Sequence, residues 1–296
     1  MDPAFPPLEN LVVDQLRRHV DLLPAFEGIA IDRFDYSEFY SYLADDGLSW
    51  VGGRAARSLR ESYKHTFARL GALLHANATA GSKLMLGNCN SVCRVDLMRD
   101  FDGLFNEGAA LNAVAFLGLA GSPTILWTYS LTGHSVHELN QYFQQHLLMR
   151  VFPMAPMPKN DHSIQPGNAT IDGFYEAYAP LFDAVRGMRW LLLAAPATVA
   201  PGDGMPLVNV FTSVAGDGGT VLVSLMLAGP GVEAASLTVA HRIPGKAYAV
   251  DALYPGGGGK WQPVAASVRA GEDGSIDVGT TALRDGCALV RVAEVA

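Results

Sequence analysis

The stretch GIAIDRFDY, residues 28–36, decides how this chain of 296 residues is interpreted. Its apolar run ends abruptly in acidic, basic and aromatic side chains. That pattern is typical of a buried parallel strand with polar groups at its carboxyl end. In α/β barrels the residues that perform chemistry lie at this end of the strands. The stretch therefore predicts a barrel strand that leads into a functional site.

Four later apolar runs also end in polar residues, and helical patterns separate them. The runs are 83–88, 103–107, 124–129 and 151–155. Apolar spacing predicts helices at 8–23, 54–76, 91–100, 110–120, 135–150 and 172–188. Alternating strands and helices form parallel sheets with right-handed crossovers, and the successive polar strand ends favour a barrel. We predict an α/β fold over 1–189, a partial (β/α)8 barrel of about five strand-helix units.

From Trp190 onward the pattern changes to short β-rich runs separated by Gly, Pro, Asp and Asn. The runs are 190–194, 207–214, 220–227, 236–241, 246–253, 263–269, 275–278 and 287–293. Such spacing is typical of antiparallel strands joined by turns. The sequence thus predicts a second domain over 190–296, an antiparallel β-sandwich.

Composition excludes several classes of partner and cofactor. A formal charge of −8 and a pI near 5.4 argue against nucleic acid. No apolar run reaches the about 20 residues that cross a membrane, and the first residues lack a signal-peptide layout. We expect a soluble chain, secreted or lumenal only if a longer form carries a signal upstream. Cys89, Cys93 and Cys287 lack the spacing of a metal site, so neither metal nor cofactor is expected.

The strand ends and the following sandwich together resemble a known enzyme group. With Asn106-Glu107-Gly108 at the end of 103–107, the chain is similar to (β/α)8-barrel glycoside hydrolases related to α-galactosidases and α-glucosidases. In that group an all-β domain follows the eighth barrel strand. Counting back from the sandwich makes 151–155 strand eight, 103–107 strand six and 28–32 strand four.

This resemblance implies the catalytic residues. In the group, an Asp that closes strand four is the nucleophile and a carboxylate that closes strand six is the acid/base, which assigns Asp32 and Glu107. Many relatives carry Asp where Glu107 stands, a departure that bears on the subfamily. The implied activity is retaining cleavage of α-linked glycosides. The structural alternative is that Asp32 caps a helix or pairs with Arg33, and Asp35 is the runner-up nucleophile.

Polar and aromatic residues near the strand ends are candidates for binding the carbohydrate substrate. Amide side chains both donate and accept hydrogen bonds, and aromatic faces stack on sugar rings. The candidates are Arg33, Asp35, Tyr36, Trp50, Asn88, Asn90, Asn106, Trp127, His134 and His162. Each also has a structural interpretation, because Asn is common in turns and aromatic residues are common in cores.

The strand count leaves barrel strands one to three unaccounted for. An open arc of five strands has two unpaired edges and an exposed apolar wall. We therefore expect the C-terminal part of a longer enzyme, or a barrel remnant, that self-associates through its open edges. The alternative function is a non-catalytic remnant or truncated gene product that binds carbohydrate or a partner.

Overall fold

The structure is a computed structural model that describes residues 2–23, 25–32, 39–76, 82–88, 96–107, 110–118, 121–127, 131, 133–154, 168–200, 206–214, 219–227 and 234–295. The helices are α1 (Pro6–Leu22), α2 (Leu59–His75), α3 (Leu111–Leu117), α4 (Val136–Met149) and α5 (Ala169–Ala184). The strands up to α5 are β1 (Gly28–Ile31), β2 (Tyr40–Ser41), β3 (Ser49–Val51), β4 (Arg54–Ser58), β5 (Leu84–Asn88), β6 (Gly103–Glu107), β7 (Thr124–Trp127) and β8 (Val151–Met154). The strands after α5 are β9 (Met188–Trp190), β10 (Ala197–Ala200), β11 (Pro206–Ser213), β12 (Thr220–Leu227), β13 (Ala234–Val239), β14 (Ala247–Leu253), β15 (Gln262–Arg269), β16 (Ile276–Ala282) and β17 (Cys287–Glu294).

The α/β part contains one five-stranded sheet in the order β1-β5-β6-β7-β8. The order in the sheet follows the order in the chain, and the β1-β5 and β5-β6 pairs are parallel. With the intervening helices this is a partial α/β barrel, and the β-sandwich follows it, so the predicted fold class is confirmed. Self-association through the edges formed by β1 and β8 stays a prediction.

The chain divides into two compact units, and the division does not follow the predicted domains. The first unit comprises 1–109 with 124–126, and the second comprises 110–123 with 127–296. The all-β part begins with β9, close to the predicted change at residue 190. The assignment of 1–189 and 190–296 as domains stays a prediction. No helix among the described residues is long and apolar enough to cross a bilayer.

One predicted helix begins later than expected. Residues 54–58 form β4, the central strand of a small antiparallel sheet in the order β2-β4-β3, and α2 follows it. The helix begins after Ser58, whose side chain accepts a hydrogen bond from the Glu61 amide at 3.3 Å. A serine N-cap with Glu at the third helical position is a start signal that outweighs the helical spacing of 54–58. Part of the predicted helix 91–100 lies outside the described residues, and 96–100 form turns.

Asp46 organises the turn between β2 and β3. Its carboxylate accepts hydrogen bonds from the backbone amides of Leu48, Ser49 and Ser58, at 2.9, 2.6 and 2.8 Å. Burial raises the pKa of this carboxyl, but the backbone donors outweigh that effect and hold the pKa far below its usual range. Asp46 thus fixes the loop and the end of β4.

The second unit contains the sandwich, whose two sheets enclose one apolar core. The larger sheet has the order β15-β14-β17-β12-β11-β9, and the smaller has the order β10-β13-β16. The strand β10 was not predicted. Val221, Val223 and Val290 of the larger sheet pack against Leu237 and Ile276 of the smaller one.

Two helices of the second unit cover the other face of the larger sheet. Phe211, Leu222 and Leu289 on that face lie in one core with Phe143 of α4 and Leu181 of α5. Successive residues of β12 therefore face two different apolar layers. This explains why the sequence of the strand is almost entirely apolar, with Ser224 as the one interruption after Thr220, as is typical of fully buried strands.

A buried arginine fixes the chain after α3, also within the second unit. Arg150 is 1% exposed, and its guanidinium donates to the carbonyl oxygens of Gly118, Gly121 and Ser122 at 2.9, 3.4 and 2.8 Å. Burial lowers the pKa of this side chain to about 10. The three carbonyl acceptors compensate for part of the desolvation.

In the first unit a buried carboxylate joins α1 to α2. Glu9 is 3% exposed, its Oε1 lies 2.8 Å from His65 Nδ1 and 3.1 Å from Thr66 Oγ1, and Arg69 pairs with its other oxygen. Burial raises the pKa of Glu9, but the hydrogen bonds from Arg69, His65 and Thr66 outweigh it and hold the pKa below its usual value. A group with a lowered folded pKa stabilises the fold above its unfolded pKa and loses that effect as the pH falls.

We predict that Glu9→Gln lowers the free energy of unfolding by about 1–2 kcal/mol at pH 7, because the charge-assisted hydrogen bonds of the carboxylate are lost. The loss is limited because Arg69 remains partly hydrated. The difference from the parent protein should shrink below pH 4.5, the ordinary pKa of the group. Urea unfolding at pH 7 and pH 4 measures both effects. Asp14→Asn, which removes an exposed pair with Arg17, is the control and should change little. An equal loss in the two variants would contradict the role of Glu9.

Candidate active site

Three polar side chains stand at the carboxyl ends of neighbouring parallel strands in the first unit. Asp32 follows β1, Asn88 ends β5 and Glu107 ends β6. In the strand register Ile31 pairs with Gly87, and Asn88 pairs with Phe105. Because paired residues of parallel strands face the same side and alternate residues share a face, the three side chains point to one side of the sheet.

The amide of Asn88 bridges the two predicted catalytic carboxylates. Its Nδ2 donates to Asp32 Oδ1 at 2.7 Å and to Glu107 Oε1 at 2.9 Å. These two oxygens can therefore be no farther apart than the sum of those distances. Retaining glycosidases hold their two carboxyl groups about 5–5.5 Å apart, and inverting enzymes about 6.5–9.5 Å apart. The two hydrogen bonds set only an upper limit on this separation, so the retaining mechanism stays a prediction.

The three residues differ in their exposure to solvent. Asp32 is exposed, Glu107 is half-buried and Asn88 is 3% exposed. An acid/base that must carry a proton is favoured by a less solvated setting, whereas a nucleophile must stay ionised. The roles assigned to Asp32 and Glu107 stay predictions.

Asn106 is buried and lies next to Glu107 in β6. Successive strand residues point to opposite faces, so Asn106 faces away from the side that carries Glu107 and Asn88. The strand thus does not bring Asn106 to the two carboxylates. Its role as a sugar ligand stays a prediction that this geometry does not favour.

The other predicted ligands are spread over different parts of the chain. Trp50 lies in β3 and is 71% exposed. Trp127 ends β7, and His134 of the second unit is exposed before α4, with Nδ1 3.2 Å from the Leu131 carbonyl oxygen. Arg33, Asp35, Tyr36, Asn90 and His162 lie outside the described residues. All of these assignments stay predictions.

The opposite end of the sheet is held by a different carboxylate. Asp102, just before β6, accepts a hydrogen bond from the Met85 amide at 2.8 Å, and His75 Nε2 of α2 lies 2.9 Å from the same oxygen. These contacts tie β5, the chain before β6 and α2 together at the amino ends of the strands. In barrels that end of the strands serves stability, whereas the carboxyl end carries the functional groups.

The first unit also contains a groove that is not predicted from the sequence. This cavity of about 1070 Å³, here called the aromatic groove, includes none of the three strand-end residues in its lining. Its lining residues are Asp2, Phe5, Pro6, Phe39, Tyr40, Ser41, Tyr42, Leu43, Ala44, Arg57, Leu59 and Tyr63. The corresponding signal in the sequence is the aromatic run 39–42.

The fold and the strand-end residues define a partial (β/α)8 barrel with a candidate two-carboxylate site, followed by a β-sandwich. The chain is similar to a doubly substituted GH36 alpha-galactosidase AgaA from Geobacillus stearothermophilus in complex with raffinose, with 12% identity and a TM-score of 0.51. A singly substituted form in complex with 1-deoxygalactonojirimycin gives 10% identity and a TM-score of 0.48. In both comparisons all of this chain is covered, and it spans 39% of the other chain.

No family model and no curated protein matches the sequence. At 12% identity the structural similarity shows the fold alone. It confirms the resemblance to the α-galactosidase group at the level of architecture. The activity and the roles of individual residues remain to be proposed from the chain's own geometry.

The backbone of β1 at Gly28 approaches β5 closely, and this contact leads to a prediction. A Cβ atom at Gly28 would lie 2.0 Å from the Leu84 carbonyl oxygen. We predict that Gly28→Ala lowers the free energy of unfolding by about 1–3 kcal/mol, because the strands must separate to accept the methyl group. Urea unfolding measures the loss.

The matched control is Gly173→Ala in α5, where an added Cβ meets no atom within 4 Å. That change should stabilise by about 0.5–1 kcal/mol, as Ala does in exposed helix positions. Equal stability of the two variants would contradict the close β1-β5 contact.

Proposed function

We propose that this chain acts as a glycoside hydrolase that cleaves α-linked glycosides with retention of configuration. The observation that carries the proposal is the Asn88 amide, which holds Asp32 and Glu107 close enough for double displacement. The barrel-and-sandwich fold, similar to that of a GH36 alpha-galactosidase, supports the same class of reaction.

In the first step, Asp32 attacks the anomeric carbon while Glu107 gives its proton to the leaving oxygen. The glycosidic bond breaks, the alcohol departs and a glycosyl ester forms on Asp32. In the second step Glu107, now ionised, takes a proton from water. The water oxygen bonds to the anomeric carbon, Asp32 leaves as a carboxylate, and Glu107 is protonated again.

We infer α-galactosides as the first substrate class to examine. The similar structure is an alpha-galactosidase solved in complex with raffinose, and that fact belongs to the other protein. A panel of aryl α- and β-glycosides of several sugars tests the class without assuming it. Turnover should be found for an α-glycoside, and proton NMR of the early product should show the α anomer.

We predict that Asp32→Asn and Glu107→Gln each lower kcat by about 10²–10⁴-fold, the usual contribution of such groups. Glu107→Gln should keep more activity on a dinitrophenyl glycoside, because that leaving group departs without protonation. The activity of Asp32→Asn should not increase with the dinitrophenyl leaving group. Stopped assays that compare the dinitrophenyl glycoside with the other aryl glycosides of the panel measure the difference.

The control is Asp21→Asn, an exposed residue of α1. It should match the parent protein in turnover and in the free energy of unfolding. Turnover that survives Asp32→Asn unchanged, or a β anomer as the first product from an α-glycoside, would overturn the proposed mechanism.

A non-catalytic binding protein is the second candidate, and the aromatic groove is the observation that favours it. Phe39, Tyr40 and Tyr42 line this groove and are 59%, 42% and 43% exposed. Aromatic faces beside polar groups suit a carbohydrate or a partner surface. Turnover that is lost in Asp32→Asn would decide against this alternative.

A further inference from the structure

Asn88 has the contacts of a residue that positions the catalytic pair, and this inference rests on the proposed function. A side-chain amide offers two N–H donors and one carbonyl acceptor. Its two acceptors here are the carboxylates of Asp32 and Glu107. Among the residues that the structure describes, Asn88 Oδ1 is buried and has no hydrogen-bond partner. The donors of the amide are engaged by the two carboxyl groups, whereas the role expected from the sequence is to bind a sugar hydroxyl.

Electrostatics fix the orientation of this amide. A flipped amide would place its carbonyl oxygen against the ionised Asp32 carboxylate, which repels it. The observed orientation supplies a donor to each carboxyl group, and the hydrogen bond to the ionised one is charge-assisted. The two carboxyl groups therefore determine the orientation of the amide.

The strand register places the Asn88 side chain within hydrogen-bonding distance of both carboxyl groups. It lies on β5, between β1 and β6, and its side chain is almost fully buried. Pairing of Asn88 with Phe105 places Glu107 two residues farther along the neighbouring strand on the same face. A short buried side chain at this point couples the two carboxylates through one rigid group.

We propose that Asn88 is a positioning residue that sets the separation of Asp32 and Glu107 and donates to whichever of them is ionised. Before attack the charge resides on Asp32. After proton donation it resides on Glu107, while Asp32 is esterified. An amide that contacts both can stabilise the charge at either stage without moving. Because these interactions strengthen with developing charge, their loss should lower kcat more than it raises KM.

The first test needs no substrate and uses the full chain. The carboxyl carbons of Asp and Glu are labelled with ¹³C, their NMR shifts are recorded at one pH, and Asp32→Asn and Glu107→Gln assign the two signals. In Asn88→Ala both signals should move, because each carboxyl group loses a hydrogen-bond donor. In the isosteric Asn88→Asp both signals should move as well, because a carboxyl group replaces the donating amide.

Asn112→Asp, the same chemical change at an exposed position of α3, is the control and should leave both signals in place. Asn88→Asp keeps the side-chain shape, so it serves if Asn88→Ala does not fold. Signals that stay unchanged in a folded Asn88 variant would overturn the inference.

The second test uses an aryl α-glycoside that the parent protein turns over. Asn88→Ala should lower kcat by roughly 10²-fold and change KM by less than about fivefold. A higher KM with unchanged kcat would identify Asn88 as a sugar ligand and overturn the inference. If the parent protein shows no turnover but both carboxyl signals move in Asn88→Ala, the proposed function fails and the positioning of the pair stands.

Discussion

The hydrogen bonds from one amide to two carboxyl groups place the strictest requirement on the strand register of this structure. The contacts of Asn88 with Asp32 and Glu107 require β1, β5 and β6 to keep one register at their carboxyl ends. A slip of one residue in a strand would turn every side chain to the opposite face. The close approach at Gly28 and the Asp102 contacts at the amino ends resist such a slip.

Features coded by short stretches of sequence could be predicted. The parallel strands were found because each apolar run ends in polar residues, and the sandwich was found because turn residues recur between short runs. The late start of α2 was missed, although Ser58 with Glu61 is a start signal visible in the sequence. Residues 54–58 have helical spacing, yet pairing with β2 and β3 makes them a strand.

Features that join distant residues could not be predicted. Asn88 meets Asp32 across 56 positions of sequence, and only the strand register shows that its amide faces both carboxylates. From the sequence alone, Asn88 is therefore predicted to bind the sugar. Arg150 was missed because its acceptors are backbone carbonyl oxygens, which leave no pattern in the sequence. The helices that cover the larger sheet correspond to a weak signal in the sequence, the apolar run of β12 that only Ser224 interrupts.

The most direct measurement of the central claim is the NMR spectrum of the Asn88 side-chain amide in the full chain, labelled with ¹⁵N. Both amide protons should exchange slowly with water and resonate downfield, since each is hydrogen-bonded to a carboxyl group. Asp32→Ala should release one proton and Glu107→Ala the other. Two protons that exchange freely in the parent protein, or that respond to neither substitution, would contradict the account.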